Sequence, residues 1–140
     1  MSELELGSNA RERLVSAGLR PTRQRLALAA LVFDRGHRHV TAEALHAEAK
    51  QAHIPVSLAT IYNTLRSFTK SGLMREVLVA PGKVYFDTNM NRHHHFFFED
   101  SGHLADIPAD QVQVAKLPTA PPGATVSQVD VIVRLAAEKA

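Results

Sequence analysis

The chain is 140 residues long, room for one domain or two small ones, and its 45% hydrophobic and 21% charged residues are ordinary for a globular protein. It contains no cysteine, which excludes disulfides, thiolate zinc centres and thiol chemistry, and no apolar run long enough to span a bilayer. The net charge of +2 is unevenly spread: residues 1–75 hold 11 Lys/Arg against 6 Asp/Glu, and residues 76–140 hold 5 against 8.

A basic first half predicts a polyanion partner, and an acidic, His-rich second half predicts cations. The plainer reading of the arginines is a solvated face. The opening MSELELGSNARER has acidic residues and no apolar h-region, so no secretory signal is expected and the expected location is cytoplasmic. No internal repeat is present.

In chain order, Arg11 to Ala17 reads as a short helix ended by Gly18. Thr22 is placed to N-cap a second helix to about Phe33, with Leu26, Ala29, Ala30 and Phe33 on one stripe. Thr41 caps a third, in which Glu43 suits the helix dipole and Leu45 and Ala49 repeat at helical spacing. After Pro55, Ser57 caps a fourth helix to about Ser71. Its apolar stripe is Ile61, Leu65 and Phe68, and Gly72 is the expected left-handed stop. The pattern then changes. Arg75 to Ala80 and Lys83 to Asp87 flank Pro81-Gly82 and predict a β-hairpin. Helices followed by a hairpin give the order of a winged helix-turn-helix.

Thr88 to Arg92 is polar and reads as a linker. Beyond it come strands at His93 to Glu99 and Gly102 to Ile107, a helix from about Ala109 to Lys116, a Pro-rich loop and a last strand, Val129 to Leu135. The predicted class is α+β. An N-terminal winged helix-turn-helix domain (1–87) and a hinge (88–92) precede a small C-terminal α/β dimerisation and sensing domain (93–140). A unit of under 50 residues holds little core alone, so a homodimer is expected.

Two constellations carry chemistry. The fourth helix turns Thr60, Asn63, Thr64, Arg66 and Ser67 away from its apolar stripe, with Tyr62 at the edge; such side chains suit base edges and phosphates in a major groove. Ser57, which opens that helix, is expected in the same DNA-binding set. Arg20, Arg23 and Arg25 stand where they can reach phosphates or a narrow minor groove, and Lys83 lies near the tip of the wing. Operator DNA is therefore the expected partner, although winged helices also serve as protein-interaction modules. The second constellation is His93-His94-His95. In an extended strand His93 and His95 share one face and His94 takes the other, which suits metal or haem ligation. An exposed polar turn is the bland alternative.

The segments GLRPTRQRLAL, HVTAEAL, VSLATIYNTL and KSGLM resemble the ferric uptake regulator superfamily of dimeric metal-sensing repressors. Together with YFDTN, HHHFF and VDVIVRL they look most like its iron response regulator branch from alpha-proteobacteria, which responds to haem status. The resemblance implies one divalent-cation site (zinc, manganese or iron) made by His39, Asp87, His93, His95 and Asp106. It also implies haem as effector, with His93, His94 and His95 as the haem-binding element. Where relatives hold a structural zinc in Cys-x-x-Cys pairs, this chain has Phe98 and Ser101, so that zinc is not expected. His37, His46, His53 and His103 are expected on surfaces.

The resulting expectation is a non-enzymatic, DNA-binding regulator of iron and haem genes whose operator affinity haem or iron lowers. A manganese-, zinc- or peroxide-responsive repressor of the same superfamily is the alternative. A small metal-dependent hydrolase built on the His cluster is the distant one.

Overall fold

The computed structural model describes residues 3–80 and 82–138, with side chains from Asn9 onward. Two compact units are present, residues 1–90 and residues 91–140.

The first unit begins with α1 (Glu3–Ser16) and α2 (Arg23–Phe33), followed by a short strand β1 (His39–Val40). Then come α3 (Ala42–Gln51), α4 (Leu58–Lys70) and the hairpin β2 (Arg75–Ala80) and β3 (Lys83–Asp87). Three N-caps form as their sequence predicts: Thr22, Thr41 and Ser57 accept from the backbone N–H of Arg25, Ala44 and Thr60. Three helices of this unit end in the same way. Gly18 and Gly72 adopt φ of 79° and 83°, and the next residues, Leu19 and Leu73, donate back to Leu14 and Phe68 at 2.8 and 2.9 Å. This is the Schellman closure, in which the residue after the turn also packs on the core. The same closure ends α3, where Ile54 donates to Ala49 at 2.8 Å, but His53 occupies the left-handed position with φ 58°.

The core of this unit gathers Leu14 from α1, Leu28 and Val32 from α2, Leu45 from α3, and Ile61, Leu65 and Phe68 from α4. β1 joins the hairpin as a third strand, in the order β1-β3-β2. No sequence signal marked it, because a two-residue strand shows no alternation. Arg38, just before β1, pairs with the residue after β3: its N–H donates to Thr88 Oγ1 at 2.8 Å, and Thr88 N–H returns to its carbonyl at 3.1 Å. Thr88 is thus buried with the wing, although its polarity reads as linker.

Three further expectations need correction here. α1 starts near Glu3, not Arg11. The buried stripe of α2 is Leu28, Ala29, Val32 and Phe33, with Leu26 and Ala30 only half-buried. The helix is apolar almost all round from Leu26 to Phe33, so periodicity could not select the face. Thr64, expected outward, is buried.

The second unit is a three-stranded sheet of β4 (His93–Phe98), β5 (His103–Pro108) and β6 (Ile132–Leu135), in the order β5-β4-β6. β4 runs antiparallel to β5 and parallel to β6. The helix expected from Ala109 to Lys116 does not form; a single 3₁₀ turn, Ala109–Gln111, stands there. Pro108 at its start supplies no side-chain cap, and Val112 is already extended at φ −122°, ψ 119°. Val112 and Val114 are β-branched and Pro118 follows, so little favours continuing the helix. The last strand begins at Ile132, three residues later than expected.

Candidate functional site

The first unit supplies one pair of metal-ligating side chains. Antiparallel pairing of β1 and β3 sets His39 opposite Asp87, with His39 Nε2 3.3 Å from Asp87 Oδ2. Asp87 is fully buried, and its other oxygen, Oδ1, accepts from the Asn89 N–H at 2.9 Å. The turn after β3 therefore aims Oδ2 at the imidazole.

The second unit supplies three. β4 alternates as its sequence requires, so His93 and His95 share a face. His93 Nδ1 lies 2.5 Å from the Asn91 carbonyl. A carbonyl only accepts, so Nδ1 carries a proton, and in the neutral ring Nε2 keeps its lone pair, the arrangement common to metal-binding histidines. That Nε2 stands 3.0 Å from His95 Nε2. Asp106, paired with His95 across β4 and β5, brings Oδ1 to 3.3 Å from His93 Nε2 and 3.7 Å from His95 Nε2. Two imidazoles bound side by side to one octahedral cation through bonds of about 2.1 Å sit about 3.0 Å apart. The donor set is nitrogen and oxygen without sulfur, which suits zinc, manganese or ferrous iron. These residues therefore fit a divalent cation.

His94 lies on the opposite face and does something else. Its Nδ1 accepts the Val131 N–H at 3.0 Å, so in the neutral ring the proton sits on Nε2. It ties β4 to the segment entering β6. Neither nitrogen of that tautomer offers a lone pair to a metal, which departs from the expectation that all three histidines act as ligands.

The residues expected to face DNA sort by exposure. On α4 the outward stripe is Ala59, Tyr62, Asn63, Arg66 and Lys70. Asn63 and Arg66 are fully outward, and Tyr62 is half-buried against the core. Ser57 and Thr60 are engaged with each other: Thr60 N–H donates to Ser57 Oγ at 3.1 Å, and Ser57 Oγ donates to Thr60 Oγ1 at 3.0 Å. Arg20 and Arg23 are exposed. Arg25 is half-buried and its Nη1 donates to the Arg20 carbonyl at 3.1 Å, stiffening the turn before α2. His37, His53 and His103 are exposed, whereas His46 is half-buried beside the Val56 carbonyl.

Sequence reasoning missed several partners of these residues. Tyr62 Oη donates to Glu43 Oε1 at 2.6 Å, and this holds the Glu43 carboxyl below and the Tyr62 phenol above their ordinary values. Arg38, the residue before His39, makes two hydrogen bonds to Glu48. Asn91 lies two residues before His93, but no side-chain pattern announces a backbone carbonyl as a partner.

Residues 16–133 match the family model described as the ferric uptake regulator family. The peroxide-responsive repressor PerR of Staphylococcus aureus (strain Mu50 / ATCC 700699) is 32% identical over 99 residues, 71% of this chain and 66% of its own length. The match thus spans just under two thirds of that relative. Among solved structures, the ferric uptake regulator of Pseudomonas aeruginosa with manganese superposes with a TM-score of 0.71 at 21% identity, covering 93% of this chain and 98% of its own. A zinc-bound manganese uptake regulator gives 0.66 at 17% identity, covering 92% and 98%. At these identities the structural likeness concerns the fold.

Proposed function

Because the chain belongs to the ferric uptake regulator family, we propose that it is a metal-responsive transcription regulator that binds operator DNA as a homodimer. The observation that carries this reading is the convergence of His93 Nε2, His95 Nε2 and Asp106 Oδ1 on one face of a sheet, with His93 pre-set in its ligating tautomer. The proposal assigns one divalent cation to His39 and Asp87 of the first unit and to His93, His95 and Asp106 of the second. The cation supplies charge and fixed ligand directions. A ligand set drawn from both units fixes the angle between them, and so the spacing of two recognition helices on successive major grooves. Asn63, Tyr62 and Arg66 are assigned to bases, and Arg20, Arg23 and Arg25 to phosphates. Lys83 and the wing lie beside the duplex. A cytoplasmic regulator without enzymatic activity accords with this reading.

The test is selection of bound duplexes from a random-sequence pool by the metal-loaded protein, followed by gel shift with and without chelator. Metal-dependent retention of a two-fold symmetric site is expected. Binding that ignores chelator overturns the metal-responsive reading.

The identity of the signal is a finer proposal. The resemblance to the iron response regulator branch supports haem as effector, acting on the His93–His95 run. Within that run the geometry favours His93 and His95, since iron takes His94 only after its bond to Val131 breaks. A haem titration that shifts the haem absorption spectrum and releases DNA is the expected outcome. A peroxide-responsive reading is favoured by the likeness to the Staphylococcus aureus repressor. It predicts an oxygen added to His39, His93 or His95 after peroxide treatment of the ferrous protein, read by mass spectrometry.

A further inference from the structure

We infer that Glu43 is a specificity-determining residue, which positions Tyr62 on the DNA-reading face of α4. The inference rests on the operator-binding reading above. Tyr62 lies in the outward stripe of α4 between Ala59 and Arg66, and its ring packs partly on the core. Its hydroxyl does not point along that stripe. It reaches back to α3 and donates to Glu43 Oε1 at 2.6 Å, across 19 residues of sequence. The Glu43 carboxylate is itself steadied by its own backbone N–H in the first turn of α3.

Three consequences follow. The phenol's one proton is committed within the protein, so the ring meets DNA as an apolar plate and edge, suited to a thymine methyl and not to an arbitrary phosphate oxygen. The pair also links the two helices of the helix-turn-helix on their solvent side. Tyr62 has few rotamers to lose when it docks, because the carboxylate already holds it. A short hydrogen bond to an ionised acceptor is of the strong kind, which makes it capable of selecting one ring orientation. A negative charge beside the recognition helix also weakens adhesion to phosphates generally, which sharpens the contrast between operator and other DNA.

The experiment uses an operator selected by the metal-loaded wild-type protein and a scrambled duplex of equal length. The ratio of the two affinities is measured at fixed salt for wild type, Glu43→Ala, Glu43→Gln, Tyr62→Phe and the Glu43→Ala/Tyr62→Phe double variant. Both Glu43→Ala and Tyr62→Phe are expected to lower the ratio by about tenfold. The double variant is expected to lose no more than either alone, because both remove one hydrogen bond. Glu43→Gln, which keeps an acceptor oxygen, is expected within about threefold of wild type. An unchanged ratio in Glu43→Ala, additive losses in the double variant, or equal losses in Ala and Gln overturns the inference, the last pointing to charge alone. If wild type selects no operator at all, the operator-binding reading fails instead. Unaltered thermal unfolding and metal affinity of the variants separate positioning from damage to the fold.

Discussion

Arg38 grips Glu48 through two parallel hydrogen bonds, Nη1 to Oε1 at 2.8 Å and Nη2 to Oε2 at 2.6 Å, and Nη1 also reaches the Leu31 carbonyl at 3.1 Å. One guanidinium thus joins the end of α2, the body of α3 and, through the backbone pairing of Arg38 with Thr88, the exit of the wing. It also sits beside His39 in the chain.

Arg38→Ala is therefore expected to cost about 2 kcal/mol in chemical denaturation, since it leaves a half-buried carboxylate without its charged donor. Its pH dependence has a definite sign. The Arg38 hydrogen bonds hold the Glu48 carboxyl below its ordinary value. Above the ordinary glutamate value, about 4.3, that stabilisation is fully present. It is lost as pH falls through that value towards the depressed one, because the unfolded chain then binds the extra proton. Glu48→Gln should flatten this part of the acid limb; an identical slope in wild type and Glu48→Gln overturns the assignment.

His53 sits where a helix-ending glycine would, at φ 58°. A side chain in that region costs about 1 kcal/mol, and the glycine alternative already ends two other helices of the molecule, at Gly18 and Gly72. His53→Gly is expected to raise stability by up to about 1 kcal/mol. A decrease in the urea midpoint would show that the His53 side chain contributes more than its backbone strain removes.

The histidines of β4 should separate by face. His93→Ala and His95→Ala are each expected to weaken divalent-cation binding by more than about 100-fold in calorimetric titration, beyond the typical effect of losing an outer partner. His94→Ala is expected to leave cation affinity within about threefold while lowering the melting temperature of the metal-free protein, because the Val131 N–H loses its acceptor. Equal losses of affinity at all three positions would sink the division of roles.

On α4, Arg66→Ala and Asn63→Ala should reduce operator affinity by roughly tenfold or more, as bidentate base contacts do. Ser57→Ala acts differently. Its hydroxyl caps the helix and is engaged with Thr60, so the expected loss is about 1 kcal/mol of folding stability with the operator-to-scrambled ratio unchanged. A fallen ratio in Ser57→Ala would return Ser57 to the DNA-reading set.

What the sequence by itself determined is whatever depends on neighbours within a turn of chain. The caps at Thr22, Thr41 and Ser57, the stops at Gly18 and Gly72, the hairpin flanking Pro81-Gly82, and the alternation that parts His94 from His93 and His95 are all set by local hydrogen bonds and side-chain periodicity. Tertiary structure decided what depends on distant partners. Val131, 37 residues from His94, fixes that ring's tautomer, and Glu43 claims the Tyr62 hydroxyl from another helix. Packing buried Thr64 and turned α2 onto Leu28 and Val32, and the segment after Pro108 stayed extended beyond one 3₁₀ turn. In each case competing local conformations lie within about a kilocalorie of one another, and long-range contacts choose among them.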